Sequence, residues 1–444
     1  MAVLPNFGNY NKPSKDSFSD PSAGYNILKI APTSFFADYG CHVRILEETR
    51  ILQKLGNRVV ICTYHTGRDI PGLEIYRALN TPWNKTVQVG SNIHKIYYDA
   101  LLSLKSLLVG LRVRPDIIHA HLHEGALIGS VLSRLLRIPL VFDFQGSLTS
   151  EMLDHSFITQ ESLAFRPLRA LERIINNRAN VIITSSQNAA EVLVREFGCP
   201  AGKVFTITDS VNPSFFRPRW QMEDPWTLMS LREKLGIPQG RRIIVYLGLL
   251  AEYQGTTNLL QAAKYLVEKN LPVHFLIMGY PGEEYYRAVA REMGLEEYTT
   301  FTGRIRYEEA PRYLALGDVA TSPKISETEG NGKLLNYMSV GLPTVTFDTP
   351  VAREILGELG VYARLGDHES LARGIEYLLD NNVGMVELGR RLRERAEQRY
   401  SWDSAGGLLM SIYDAVSGRV RVYHGDYPSL RKTANAHRPL SRVR

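Results

Sequence analysis

Carboxylates, two glycines and a lysine crowd into one stretch of this chain, Ser322 to Pro350, which reads SPKISETEGNGKLLNYMSVGLPTVTFDTP. Glu327, Glu329, Gly330 and Gly332 make an acidic, glycine-broken turn. Lys333 to Val340 reads as a short helix, Gly341-Leu342-Pro343 stops it, and Thr344 to Phe347 is an apolar strand. The start of a helix offers unpaired backbone N–H groups and the positive end of the helix dipole, which together hold a phosphate. The acidic residues beside it suit a neutral polyhydroxyl ligand. Phosphate recognition next to hydroxyl recognition suggests a nucleotide sugar. The plainer alternative is a β-loop-α-loop-β connection with polar loops. The crowding of Glu327, Thr328, Glu329, Asn331 and Lys333 around two glycines weighs against it. Tyr337 and Met338 sit among Leu334, Leu335 and Val340 and read as core.

A second group of polar residues lies earlier. His119, His121 and His123 alternate at a strand end, which brings them onto one face. A structural or ligand-contact role is favoured over metal binding. Glu124 and Asp143 fall near the same strand ends, where helix capping, a solvated loop charge and ligand binding compete. The cysteines Cys41, Cys62 and Cys199 are scattered, with neither zinc-ligand nor CxxC spacing, and fit free thiols in a reducing cytosol.

These residues need a frame. A chain of 444 residues is long enough for two large domains. An apolar share of 44% and a charged share of 22% fit a soluble globular protein. Much of the net charge of +6 sits after residue 418, where Arg419, Arg421, Arg431, Lys432, Arg438, Arg442 and Arg444 face only Asp426. The body is therefore close to neutral, which argues against a nucleic-acid-coating surface. Residues 1–24 read as a flexible leader without a secretion signal, and 417–444 as a basic tail. No uncharged apolar run is long enough to span a bilayer. The leucine-rich run Ala100 to Val113, with Lys105 and Arg112, reads first as a core helix and second as a membrane-surface contact. A cytoplasmic protein, with peripheral contact at the inner membrane face as an option, is the expectation.

Strand and helix patterns alternate twice. Asn26 to Ala31, an amphipathic helix from about Val43 to Leu55, and Arg58 to Tyr64 form a βαβ unit. Strands at Asp116 to Ala120, Pro139 to Phe144 and Val181 to Ser185 continue a domain spanning 25–215. Pro213 to Pro238 reads as a Pro- and Trp-rich separator, with the linker at 216–239. The pattern restarts at Arg242 to Leu247 and runs through 240–400, and a last helix over 401–416 joins the first domain. Two doubly wound sheets facing each other across a cleft would place ligands at the carboxyl ends of the strands.

The segment Lys333 to Pro343, KLLNYMSVGLP, resembles the donor-binding segment of the family-4 (group 1) retaining glycosyltransferases, which have the GT-B fold of two Rossmann-like domains. PDIIHAH (Pro115 to His121), VIITSS (Val181 to Ser186), DSVNPSFFRP (Asp209 to Pro218), YLGLLAEYQG (Tyr246 to Gly255), FLIMGY (Phe275 to Tyr280), FTGRI (Phe301 to Ile305) and REILG (Arg353 to Gly357) extend it over roughly residues 26 to 416. The resemblance implies transfer of a sugar from a nucleoside-diphosphate donor, bound by the C-terminal domain, to a hydroxyl of a glycan or glycolipid acceptor, bound by the N-terminal domain. Cell-surface polysaccharide or glycolipid biosynthesis is the implied setting. Catalytic roles fall on Glu327, Glu329 and Lys333. The carboxylates would meet the sugar hydroxyls, and Lys333, with amides near Asn331 and Gly332, would hold the diphosphate. Donor contacts also fall on Gly40, Gly248, Gly279, Gly303, Arg304, Lys324 and Asn336, and acceptor contacts on His121, Glu124 and Gln145. No metal or other cofactor is implied.

The chain departs from the family's pattern in four places. The second acidic residue of the motif becomes Asn336, and Glu327 and Glu329 compete for the first acidic role. The Arg and Lys that usually grip the diphosphate become Leu249 and Gln254, so Lys324, Lys333 or Arg304 must substitute. The usual cleft histidine becomes Gln145, which cannot act as a base, although enzymes of this kind use the donor phosphate for that purpose. A non-catalytic nucleotide-sugar-binding relative and a nucleotide-sugar epimerase are the rival readings. A nicotinamide dehydrogenase is disfavoured, because no GxGxxG follows a strand.

Overall fold

A computed structural model describes residues 24–38, 40–80, 94–154, 157–222, 226–326 and 330–419. Glu327 and Glu329 lie outside the described residues, as do the leader up to residue 23 and the tail beyond Arg419. The described chain forms two compact units. One comprises residues up to Phe36, Ile45–Thr208 and residues from Asp403; the other comprises Ala37–Arg44 and Asp209–Trp402.

The first unit holds seven parallel strands: β1 (Asn26–Ala31), β2 (Arg58–Thr63), β3 (Glu74–Arg77), β4 (Ile117–His121), β5 (Leu140–Phe144), β6 (Val181–Thr184) and β7 (Val204–Thr206), in the order β3-β2-β1-β4-β5-β6-β7. Ile27 pairs with Val59 on one side and Ile117 on the other, so the order reverses between β1 and β4. The helices are α1 (Gly40–Lys54), α2 (His94–Val113), α3 (Leu122–Leu136), α4 (Leu148–Asp154), α5 (Phe165–Arg178) and α6 (Gln187–Arg195). Side chains alternate across the sheet. Leu28, Ile30, Ile118, Ala120 and Phe142 point into a core shared with α2, α3, α5 and α6. Lys29, His119, His121 and Asp143 occupy alternate positions, and their contacts reach α1 and the chain's last helix.

The second unit has six parallel strands: β8 (Arg242–Leu247), β9 (Val273–Met278), β10 (Thr299–Phe301), β11 (Val319–Ser322), β12 (Thr344–Phe347) and β13 (Val361–Ala363), ordered β10-β9-β8-β11-β12-β13. Its helices are α7 (Trp226–Lys234), α8 (Thr256–Glu268), α9 (Glu283–Glu292), α10 (Ala310–Ala315), α11 (Lys333–Ser339), α12 (Pro350–Leu356), α13 (His368–Asp380) and α14 (Asn382–Arg399). The order reverses between β8 and β11, the switch point at which open α/β sheets bind ligands. The last helix, α15 (Trp402–Ser417), packs on α1, where a Cβ at Gly406 would lie 2.4 Å from Ile51 Cγ1.

Two expectations need correction. The segment Pro213 to Pro238, read as a separator with a linker at 216–239, contains a 3-10 turn at Arg219–Gln221 and helix α7, and it clusters with the second unit. His123 does not continue the strand. β4 ends at His121, the backbone turns at Leu122 with φ +59°, and His123 enters α3. No described helix is long and apolar enough to cross a membrane.

Candidate functional site

The switch point of the second sheet is assembled by one tyrosine. Tyr337, fully buried on α11, accepts a hydrogen bond from the Leu247 N–H at 2.8 Å and donates to the Thr321 carbonyl at 3.4 Å. It therefore ties α11 to the ends of β8 and β11, and Lys333 begins that helix. The Lys333 ammonium donates to Gln254 Oε1 at 2.9 Å, approaches the Tyr246 hydroxyl at 3.4 Å, and lies 4.5 Å from the centre of the Tyr246 ring. Gln254 and Tyr246 are neutral groups. Burial holds the Tyr246 phenol well above its ordinary pKa, and its O–H donates to the Leu249 carbonyl at 2.6 Å.

Glycine is required where these loops cross. A Cβ on Gly248 would stand 2.7 Å from Lys333 Nζ, and one on Gly279 would stand 2.3 Å from the Gly248 carbonyl oxygen. Gly248 has φ +156°, and a side chain there would collide with the lysine. The Lys333 ammonium thus sits against the turn that carries both substituted positions, Leu249 and Gln254.

The other expected donor residues divide. Lys324 is buried and donates to the Gly330 carbonyl at 2.8 Å, which secures the loop around it. Asn331 is buried, and its Oδ1 accepts from Ser322 Oγ at 3.2 Å. The Leu334 and Leu335 N–H groups bond to the Asn331 and Gly332 carbonyls at 3.0 and 3.1 Å, so the turn itself uses these two amides. Asn336 is half-buried on α11. Gly303 has φ +68° in the turn after β10.

Arg304 was one of three residues that could replace the missing cations. Its guanidinium meets Asp38 Oδ2 at 2.6 and 3.1 Å, and Asp38 Oδ1 accepts from the Tyr307 N–H at 3.0 Å. A carboxylate therefore already offsets its charge. Next to this pair, His42 Nδ1 accepts from the Ala37 N–H at 2.7 Å. Burial, aided by Arg304 and opposed by Asp38, pushes His42 down to about 3, so the ring is neutral. Gly40 is exposed at the first position of α1.

In the first unit, Asp143 Oδ2 accepts from His121 Nδ1 at 2.9 Å and from Gln145 Nε2 at 2.7 Å. The carboxylate thus fixes the amide of Gln145 and the Nδ1–H tautomer of His121. Burial lowers the His121 pKa, the Asp143 hydrogen bond opposes that, and nearby Lys29 adds to the lowering. His119 stacks on His121 with ring centres 4.6 Å apart, and its Nδ1 meets the Tyr413 hydroxyl at 2.7 Å. Glu124 is half-buried in the first turn of α3. His123 lies 3.4 Å from Glu172, apart from the other two histidines.

Glu48, His119, His121 and Asp143 bring four potential metal-ligand atoms within 4.8 Å of one another, all buried. Lys29, also buried, donates to Glu48 Oε2 at 3.0 Å. A lysine ammonium already supplies positive charge to this cluster, and a divalent cation there would be repelled by it. Sequence reasoning did not identify Lys29, Glu48 or Tyr413. The lysine inside the apolar strand NILKIA was a usable signal; the other two had none.

Both halves of the chain match family models. Residues 40–215 match Glycosyltransferase Family 4, and residues 230–399 match Glycosyl transferases group 1. The chain belongs to this glycosyltransferase family and has the GT-B architecture of paired Rossmann-like parallel sheets. It is 25% identical to the 2-deoxystreptamine glucosyltransferase of Streptomyces kanamyceticus, over 85% of this chain and all of the relative. Sucrose-phosphate synthase from Thermosynechococcus elongatus superposes with a TM-score of 0.75 at 17% identity, over 89% of this chain and all of that one. The Anabaena protein HepE, solved with UDP and glucose, gives a TM-score of 0.71 at 16% identity, over 88% and 100%. These two structural likenesses concern the fold.

Proposed function

We propose that this glycosyltransferase is a retaining enzyme that takes a nucleoside-diphosphate sugar as donor and a hydroxyl of a cell-surface glycan or glycolipid as acceptor. The observation that carries the reading is the Lys333 ammonium at the β8 turn, held by Gln254 and Tyr246. In this reading the second unit binds the donor. Lys333 stabilises negative charge as the bond between the anomeric carbon and the diphosphate oxygen breaks. The acceptor oxygen bonds to that carbon on the same face, and its proton passes to the released phosphate oxygen. Glu327 or Glu329 holds the sugar hydroxyls, and Asn336 makes a neutral contact. Glu124 and Gln145 in the first unit contact the acceptor, with Gln145 orienting rather than removing a proton, and buried His121 acts behind them by fixing the Asp143 carboxylate that holds Gln145. The chemistry uses no resident metal or cofactor, and activity should survive chelation. The protein works in the cytoplasm, at the inner membrane face when the acceptor is a lipid.

A non-catalytic donor-binding role is the second reading. It draws on the loss of cations at Leu249 and Gln254 and on the neutralisation of Arg304 by Asp38. One experiment separates the two. Nucleotide sugars linked to UDP, GDP and dTDP are screened by thermal shift, and the best binder is then assayed for transfer and nucleotide release with wild type, Glu327→Gln and Glu329→Gln. Turnover that falls sharply in one variant and little in the other supports the transferase. Binding without nucleotide release across an acceptor panel favours the second reading. Equal, negligible effects at both positions reject the site assignment.

A further inference from the structure

The helices α2 and α3 leave rows of apolar side chains in solvent. On α2 these are Leu104, Leu108 and Leu111, and on α3 Leu127, Val131 and Leu135, each set spaced along one helical face. Leu108 is 57% and Leu135 63% exposed. The inner faces are already used, since Leu102, Val109, Ile128 and Leu132 belong to the buried core. The two helices approach closely at Gly110, where a Cβ would stand 3.1 Å from Leu136 Cδ1. On α5, which also packs on α3, Leu171 and Ile174 are exposed in turn.

The exposed charges on these three helices have one sign. Arg112, Arg134, Arg166, Arg173 and Arg178 are exposed on the three helices, and Arg137 is exposed at the α3 C-cap. None of the acids on these helices is exposed. Asp99 is half-buried and accepts from the Tyr64 hydroxyl, Glu124 is half-buried, and Glu172 is fully buried, taking the Leu148 and Thr149 N–H groups. A solvated helix surface ordinarily mixes both signs and keeps leucine inside.

We propose that the α2–α3–α5 face docks on a bilayer leaflet bearing anionic headgroups, with the leucine tips entering the acyl boundary and the guanidinium groups meeting lipid phosphates. A second copy of this chain is a poorer occupant, because self-association would bring two arginine rims together. The proposal does not rest on the transferase reading.

Full-length protein is sedimented with vesicles of phosphatidylcholine alone and of equimolar phosphatidylcholine and phosphatidylglycerol. Wild type should pellet with the mixed vesicles and not with the neutral ones. L108E/V131E and R134E/R137E should each lose roughly tenfold or more in partitioning while keeping the wild-type melting temperature. Tyr377→Glu, an exposed position on α13, should partition like wild type. Three results would overturn the proposal: no partitioning of wild type, equal partitioning of the paired variants, or a dimer seen by light scattering that the same substitutions abolish. Nucleotide-sugar thermal shifts on the same preparations report the donor site separately.

Discussion

If Lys333 carries the charge that the family usually places on the neighbouring turn, exchanging the lysine and the glutamine should preserve function. The ammonium and the Gln254 amide oxygen are 2.9 Å apart, so the exchange moves the charge by only a few bonds' length within one hydrogen-bonded pair. A charge-assisted hydrogen bond is worth about 1.5–3 kcal/mol, so Lys333→Gln should weaken nucleoside-diphosphate binding about 10- to 150-fold. Gln254→Lys alone places two ammonium groups together. At roughly 4 Å and an effective dielectric constant of 20, the repulsion approaches 4 kcal/mol, and solvent reaching half-buried Lys333 lowers it from that limit. That variant should melt lower than wild type when empty and recover when the nucleotide is bound. The exchange variant K333Q/Q254K should regain most of the binding lost in Lys333→Gln. Calorimetric titration with the nucleotide selected by thermal shift reads all three variants. A loss of less than twofold in Lys333→Gln would refute the reasoning, as would an exchange variant that binds no better than Lys333→Gln alone.

Other perturbations address the frame. Lys29→Met removes the ammonium from buried Glu48 and should cost about 3–5 kcal/mol, read as a lower urea midpoint, whereas K29M/E48Q should cost much less than two independent losses. His42 and His274 are held neutral, pushed down from 6.5 to about 3 and about 4 chiefly by burial, with nearby arginines adding to it. The unfolded chain therefore binds more protons below pH 6.5, so their stabilisation is complete above that pH and is lost as pH falls toward 4 and 3. Each should cost as much as about 2 kcal/mol by about pH 5. Denaturant midpoints of His274→Gln should fall less between neutral pH and pH 5 than those of wild type; parallel curves would contradict the assignment.

The strands and their alternation with helices were legible because a buried parallel strand must be nearly continuous in apolar residues, as in RIIVYL and VHFLIM. The short strands β3 and β13 were not legible. EIYR and VYA carry too few apolar residues to stand out, and pairing with β2 and β12 defines them. Helix α12 was also missed, although its Thr349 cap accepts from the Ala352 N–H and Pro350 opens it. The glycine-rich turn before Lys333 could be read because each residue's character is local. Which cation lies beside the β8 turn could not be read, since Lys333 and Gln254 are far apart in sequence and meet only through the crossing of Gly248 and Gly279.

By itself, then, the sequence determined the fold class and the family, because periodicity and motif order depend on neighbours along the chain. Only the tertiary structure decided how charge is distributed. It gave Arg304 to Asp38, Lys324 to the Gly330 carbonyl and Lys29 to Glu48, and it brought Lys333 to Gln254 and Tyr246 at the switch point. The physical reason is that an ion pair depends on distance through space, and strand order, not sequence separation, sets that distance.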